Sequence, residues 1–569
     1  MTLPRRLRWP VVLIWSAILC LGSLPCAFAS AYDAHPKLVV VIVIDQFRGD
    51  YLERYRDQFG EGGFRLFLDR GAYFADCNYD YANTRTAPGH ATLFTGSYTS
   101  GHGIVANEWW DPQKKKRVTS VEDDATKLVG IEAKPDQSGP GRVAPGASPH
   151  NLMSDTLGDE LKLATGGKAR VFAVSLKDRA AVLPAGYSGD GAYWIDPKSG
   201  DWLTSTYYRP DLPDWAQTFN ANRTRKYWNR EWKDGDGKLL GSTAPRKGKD
   251  GSPAGFYEVV GSTPFANDYE LEFAEQLVVY EKLGTGTTTD LLMISLSAND
   301  ILGHQVGPDS PQMHSMALEL DRSLAEFFNF IGHQIGLANV WMALSADHGV
   351  APLPDFAKTL RLPAANLDTK ELRAQINSLL AKKYGKKADY VLDLDYPLVW
   401  LNEEAFAETA VGRLSAEHRS EADAEADTGE AMNQVGLAGY FTKWQLAHGE
   451  TPATEIGRRY AHSYSPEGGW YVMGIPTLFQ VGITKGTDHA TPFSYDTHVP
   501  LAFYGLAFQP GTYRTHAEPV DLAVTLASLL GINAPAKATG RVLTEALQPA
   551  RRSDTSRSEA DAPRAGGTQ

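Results

Sequence analysis

Three apolar runs, each followed closely by an acid, most constrain what this chain can fold into. Lys37-Leu38-Val39-Val40-Val41-Ile42-Val43-Ile44-Asp45 is a continuous, largely β-branched stretch closed by a carboxylate. Leu291 to Leu296 runs up to Asn299-Asp300, and Val340 to Leu344 runs up to Asp347-His348. A fourth run, Val499 to Tyr504, follows a histidine-containing loop. Unbroken runs of this kind are strands buried on both faces, unlike the alternating strands of a half-exposed sheet. Helical patterns lie among them at Gly63 to Arg70, Met316 to Ile331 and Val520 to Leu530. This alternation predicts an α/β sandwich with a central, mostly parallel sheet flanked by helices. Sites in such sheets gather beyond the carboxyl ends of the strands, where Asp45, Asp300 and Asp347-His348 all fall.

At 569 residues the chain exceeds what one hydrophobic core usually supports, so a large domain with insertions or two domains is expected. The stretches 108–150 and 180–290, rich in Trp, Tyr, Gly, Pro and Asp, are expected as long loops or cap insertions over the site, and 355–460 as a further insertion. The acidic run Glu417 to Glu430 is expected as an exposed helix or flexible loop, and Lys114-Lys115-Lys116-Arg117 as a solvated turn. Residues 551–569 have the composition of a disordered tail, which leaves 30–550 as the body.

Arg5, Arg6 and Arg8, the apolar stretch Val11 to Leu24 and Ala27-Phe28-Ala29 have the make-up of a cleaved signal peptide over 1–29. An uncleaved membrane anchor is the alternative, disfavoured by the short apolar run. Periplasmic or secreted protein, with no stable membrane anchor after cleavage, is therefore expected. Removal of Cys20 and Cys26 would leave Cys77 alone, with no intrachain disulfide possible. A net charge of -12 argues against nucleic acid as a partner, which wants a basic face. It does not argue against phosphate substrates, since a local cationic site can oppose the overall field.

The chemistry begins with the strand-end acids. Asp300-x-x-x-His304 places a carboxylate and an imidazole one helical turn apart. Asp347-His348-Gly349 lets adjacent ligands diverge from a strand end, and Asp45 adds a third acid. Singly, each is as well explained by a helix cap or a satisfied buried polar group. Three at equivalent strand ends favour metal. Carboxylate and imidazole ligands without thiolates suit catalytic zinc, in number enough for two ions. Asn83-Thr84-Arg85-Thr86-Ala87-Pro88-Gly89-His90 sets the Thr86 hydroxyl near an expected helix N-terminus, where negative charge is favoured. Taken alone that stretch is ordinary loop-to-helix chemistry; a neighbouring metal pair would make Thr86 a nucleophile. Lys177 and Arg179, two apart after the run Val171 to Val174, could point the same way from an extended segment toward phosphoryl oxygens. From those five residues alone, pairing with Asp178 or solvent is the simpler account.

Together these pieces resemble the alkaline phosphatase superfamily, and within it the bacterial type I phosphate-irrepressible alkaline phosphatases with a threonine nucleophile. The matching stretches are Ile44-Asp45-Gln46-Phe47-Arg48-Gly49-Asp50-Tyr51, Thr86-Ala87-Pro88-Gly89-His90-Ala91, Gly103 to Trp110 and Ser175-Leu176-Lys177-Asp178-Arg179. Asp300-Ile301-Leu302-Gly303-His304, Ala346-Asp347-His348-Gly349, Tyr495-Asp496-Thr497-His498-Val499-Pro500, Val520-Asp521-Leu522-Ala523 and Gly540-Arg541-Val542-Leu543 follow in order. The resemblance implies an alkaline-phosphatase-like catalytic body with two zinc ions. Asp300, His304 and His489 would hold the one that serves water in the second step, and Asp45, Thr86, Asp347 and His348 would surround the other. It implies attack by Thr86, a phosphothreonine, and net retention, with Asn107, Lys177 and Arg179 on the phosphoryl oxygens. The last histidine usually begins a His-Gly pair in that family, whereas Asp488-His489-Ala490 stands here; His498 is the rival ligand.

The expected activity is hydrolysis of small-molecule phosphate monoesters by an exported enzyme. Phosphodiester or nucleotide pyrophosphate hydrolysis on the same scaffold is the alternative, ranked second because a Lys-x-Arg pair favours a dianionic monoester. A non-catalytic binding protein ranks third. A sulfatase is disfavoured, since Thr86-Ala87-Pro88-Gly89 lacks the modifiable Cys or Ser followed by Pro and Arg. The sequence leaves oligomeric state open, with a monomer the simplest expectation.

Overall fold

Leu38–Ile44 forms strand β1, with all seven residues buried. Successive side chains on a strand face opposite sides, so a fully buried strand must be covered on both. In the computed structural model, which describes residues 35–131, 145–248, 251–409 and 420–548, β1 lies inside an eleven-stranded sheet. The unit Pro36–Leu547 holds all of this; the chain ends before and after it, with the expected signal segment and tail, lie almost wholly outside the described residues.

Around β1 the order follows from β2 (Val171–Ser175), β3 (Gly191–Ile195), β4 (Asp290–Leu296), β5 (Val340–Ser345) and β6 (Leu501–Tyr504). They run β6-β5-β1-β4-β2-β3, and the five from β5 to β3 are mutually parallel. Strand β6 is antiparallel to β5, and shorter strands extend both edges, so the sheet is mixed around a parallel centre. One consequence decides the rest. The carboxyl ends of β2, β4, β1 and β5 share one edge, and along it the chain delivers Lys177, Asp300, Asp45 and Asp347 in spatial order.

Helices α1 (Thr86–Thr95), α2 (Asp178–Ala185), α3 (Phe265–Tyr280), α4 (Ala298–Val306), α5 (Pro311–Gln334), α6 (Thr369–Tyr384) and α7 (Asp521–Leu530) are the ones that matter here. Six of them pack in two groups, α1 with α2 and α7, and α3 with α4 through α5, while α6 packs on the strand Val391–Asp395 of the inserted layer. Helix α1 has no exposed face; all ten of its residues are buried. Gly89 permits this, because a Cβ there would lie 2.2 Å from the Asp347 carbonyl oxygen. The helix therefore rests against the backbone of the strand-end acid.

Several insertions differ from expectation. Within 180–290, β3 and Trp202–Ser205 continue the main sheet, and α3 packs on β4. The aromatic content that reads as cap-like instead fills this end of the core, with Trp202 stacked on Phe273 at 4.0 Å and Tyr193 edge-on to it at 5.5 Å. Within 108–150, Glu122–Val129 and Pro145–Ala147 likewise lengthen the sheet. Lys114 to Arg117 is exposed but paired: Lys116 meets Glu122 at 2.9 Å, and Arg117 forks onto Asp393 at 2.8 and 2.7 Å. The stretch 355–460, with the strand that follows it, carries a four-stranded sheet and its own apolar core. Glu421–Gln434 is indeed a helix but not an exposed one, since Ala424, Thr428, Ala431 and Met432 are buried. Asp423 and Glu430 lie on its exposed side, while Glu425 is buried and accepts from the backbone N–H groups of Trp444 and Tyr471. An alanine Cβ at Gly429 would fall 2.1 Å from the Tyr440 ring. Gly429→Ala is expected to destabilise this layer by about 1–3 kcal/mol; denaturant unfolding monitored by tryptophan fluorescence checks it.

Candidate metal centre and nucleophile

Two triads form at the carboxyl edge of the sheet. Asp45, Asp347 and His348 offer ligand atoms within 4.8 Å of one another, and so do Asp300, His304 and His489. Asp347 and His348 follow β5 after Ala346, while Asp300 and His304 sit one turn apart on α4. His489 arrives from a distant loop. His498, the rival, instead contacts the Ala75 carbonyl at 3.1 Å and stacks over Gly49.

The three imidazoles are set by one device. Each Nδ1 lies against a backbone carbonyl: His348 on Gly349 at 2.9 Å, His304 on Thr487 at 2.8 Å and His489 on Thr84 at 2.7 Å. With Nδ1–H donating to the carbonyl, the Nε2 lone pair faces the site, which is the arrangement a metal-binding histidine uses. His348 Nε2, Asp45 Oδ1 and Asp347 Oδ2 are buried with no hydrogen-bond partner. Three orphaned buried polar atoms within one triad are costly unless a cation satisfies them, so the donor set fits a metal ion.

Lys177 stands between the triads. Its Nζ donates to Asp45 Oδ2 and Asp300 Oδ2, both at 2.6 Å, and lies 3.4 Å from Thr86 Oγ1. Burial would raise all the carboxylates, and their neighbours separate them. Asp45 is pushed well up by burial and by the adjoining Asp300 and Asp347. Burial is outweighed at Asp300, which Lys177 and His304 hold well below the usual range. It is outweighed too at Asp347, which His348 and His90 bring down to about 2. His304 is pushed up to about 10, since Asp300 overrides the effect of burial.

Thr86 is buried and opens α1, as the sequence predicts. The Ala87 N–H donates to Asn107 Oδ1 at 2.8 Å, which holds the Asn107 amide at the helix start. Arg85, just ahead, is clamped by the inserted sheet: it reaches the Asp395 carboxylate, and its Nη2 donates to the carbonyls of Asp395 and Tyr396 at 3.0 and 2.8 Å. Arg179 departs from expectation. The segment is not extended past Lys177, because α2 begins at Asp178. The Arg179 side chain lies 3.6 Å from Asp178, is 24% exposed, and its positive charge still bears on Lys177.

Two residues escaped sequence reasoning. Gln46 bridges the triads: its backbone N–H donates to Asp347 Oδ1 at 3.0 Å and its Nε2 to Asp300 Oδ1 at 2.8 Å. It does so from a left-handed backbone, φ 64°, uncommon for a residue with a side chain. His90, one turn beyond Thr86, places Nδ1 2.8 Å from the Thr86 carbonyl and 3.3 Å from Asp347 Oδ2. Its i+4 spacing from Thr86 was the available signal; Gln46 offered only adjacency to Asp45. Ala490, where the resembled family has glycine, also has positive φ, 77°.

The chain matches the family model Type I phosphodiesterase / nucleotide pyrophosphatase over residues 39–438. It belongs to that family, within the alkaline phosphatase superfamily, and is a phosphatase. Alkaline phosphatase PhoV of Synechococcus elongatus is 33% identical over 90% of this chain and 94% of its own length. A calcium-transporting ATPase of Myroides odoratus is also 33% identical, over 94% of this chain and 98% of its own. The crystal structure of alkaline phosphatase PafA superposes with a TM-score of 0.77 at 31% identity, covering 90% of this chain and 99% of that one.

Among the described residues no helix is long and apolar enough to cross a membrane. Gln46→Leu is expected to weaken metal binding and turnover by about 10–100-fold, as loss of a ligand-orienting partner does; titration of the folded variant with divalent metal ions reads it. Ala490→Gly is expected to stabilise the chain by about 1 kcal/mol, by relieving a left-handed alanine; a thermal melt checks the sign.

Proposed function

We propose that this phosphatase hydrolyses phosphate monoesters through a covalent phosphothreonine on Thr86, beside two zinc ions, as an exported enzyme. The carrying observation is the convergence of two carboxylate–imidazole triads and Lys177 around the buried Thr86 hydroxyl. Asp300, His304 and His489 would hold one ion, and Asp45, Asp347 and His348 with Thr86 the other. Bound there, the ions supply Lewis acidity: they lower hydroxyl and water pKa values and neutralise phosphoryl charge.

The chain's own residues do the positioning. The start of α1 aims the Thr86 hydroxyl, and the Arg85 clamp fixes the turn before it. Asn107, its Oδ1 engaged by Ala87, keeps its NH₂ end for a phosphoryl oxygen. Lys177 supplies a point charge beside Thr86, and Arg179 a fork at the rim. Preorganised charge of this kind provides most of the catalysis in phosphoryl transfer. Two successive in-line displacements, first by Thr86 and then by water, give retention at phosphorus. Further support comes from a solved PafA variant substituted at a threonine, an asparagine, a lysine and an arginine, the residue types assigned here.

The matched family's name also covers diesterases, so diester hydrolysis is the second reading. The added positive charge at Lys177 and Arg179 favours a dianionic group. Thr86→Ala is expected to abolish turnover and acid-stable phosphoenzyme while metal analysis still finds two zinc ions; undiminished turnover would overturn the nucleophile. Lys177→Ala and Arg179→Ala should each lower kcat/KM on 4-nitrophenyl phosphate by about 10²-fold or more. Losses on its methyl diester should be smaller, and equal losses would favour the diesterase. Amino-terminal sequencing of the exported protein tests cleavage near Ala29.

A further inference from the structure

A second cavity, of about 1030 Å³, lies on the inserted layer and includes no residue of either triad. Arg117, Lys370, Arg373, Lys382, Lys386 and Lys387 line it against two acids, Asp389 and Asp393. Arg117 is engaged by Asp393. Among the described residues, the ammonium and guanidinium groups of Lys370, Arg373, Lys382 and Lys387 have no carboxylate partner. Helix α6 organises the wall. Leu372, Ile376 and Leu380 turn into the core, and Lys370, Arg373, Asn377 and Ala381 recur at helical spacing on the groove side. Like charges held together repel unless an anion occupies the space between them, and this chain is otherwise acidic, at -12.

The groove leads toward the metal centre. Thr369 and Lys370 also line a larger cavity, of about 1400 Å³, whose wall includes His304 and Asp488. Lys198, Arg246 and Lys485 line that mouth as well. Lys370 thus joins the groove to the mouth that holds His304 of the second triad, where Glu258, Asp368 and Asp488 stand among the basic groups. Lys and Arg in this number suit successive phosphoryl groups. Among the described residues no aromatic side chain lines the first groove, which there lacks the stacking platform by which single-stranded nucleic acid is held.

We propose that groove and mouth together bind linear inorganic polyphosphate and feed its terminal phosphoryl group to Thr86. The terminal P–O bond breaks, its electron pair leaves with the shortened chain, the phosphoryl group passes to Thr86 Oγ1, and the proton of that hydroxyl goes to solvent. Water then cleaves the phosphothreonine, one of its protons restoring the Thr86 hydroxyl and the other leaving with hydrogen phosphate. The hydrolytic part rests on the phosphothreonine proposal above; the binding part does not.

The test has two arms in zinc-buffered solution. Binding of tripolyphosphate and of long-chain polyphosphate is measured by calorimetry on the Thr86→Ala protein, with and without Arg373→Glu and Lys382→Glu. Longer chains should bind more tightly, lose affinity steeply with salt, and bind at least about tenfold more weakly to the charge-reversed protein. In the second arm, orthophosphate release by the Thr86 enzyme is followed. Arg373→Glu/Lys382→Glu should raise KM for long-chain polyphosphate at least about tenfold, while kcat/KM on 4-nitrophenyl phosphate stays within about twofold. Because Arg373 is half-buried and Lys382 exposed, circular dichroism and a variant at the exposed Lys387, Lys387→Glu, guard against a folding effect. Equal losses on both substrates, no dependence on chain length, or equally tight binding of a single-stranded oligonucleotide would overturn the proposal. If 4-nitrophenyl phosphate is not hydrolysed at all, the phosphothreonine proposal fails, and the binding arm still decides the groove.

Discussion

The structure depends on keeping several like-charged carboxylates close together in a buried place. Asp45, Asp300 and Asp347 stand at neighbouring parallel strand ends with almost no access to water. Such a group is tolerable only if positive charge is interleaved with it. Lys177 is the part of that charge the chain supplies itself, bridging two of the three acids. The parallel sheet makes the arrangement possible, because it delivers four chain exits to one edge at regular strand spacing.

Rigidity around this edge is achieved mostly with backbone. Carbonyls of Gly349, Thr487 and Thr84 each fix one imidazole, and backbone N–H groups hold carboxylates at Asp347 and Asp496. Asp496 accepts from Thr491 N at 3.0 Å and Oγ1 at 2.6 Å, which ties down the loop that brings His489. Thr84 faces that loop from the other side: its Oγ1 donates to the Thr491 carbonyl at 2.9 Å and accepts from the Thr491 N–H, also at 2.9 Å. The segment that opens α1 and the one that carries the last imidazole are therefore one hydrogen-bonded assembly.

Much of this was legible in the sequence, for definite reasons. Buried parallel strands announce themselves as β-branched runs, and Asp45, Asp300 and Asp347 mark their ends. The Asp300–His304 spacing is local, so helix geometry alone pairs the two. His489 could be reached only through family resemblance, because nothing local joins it to Asp300. Gln46 was hidden because its contribution depends on an unusual φ and on two partners far along the chain. Arg179 does not project from an extended segment as expected, because α2 starts one residue earlier, at Asp178. The inserted strands near 191–205 were hidden by aromatic residues whose role is set by packing, which composition cannot show.

The Arg85 clamp bears on how such enzymes diversify. The turn before Thr86 is held by a carboxylate and two carbonyls that belong to the inserted sheet. An exchange of that layer for one from a relative therefore cannot be a neutral graft. The donor segment must bring its own anionic grip for the guanidinium, or the turn that leads into Thr86 loses its alignment. New leaving-group preferences on this scaffold should thus evolve by resurfacing the insertion, with wholesale replacement the rarer route.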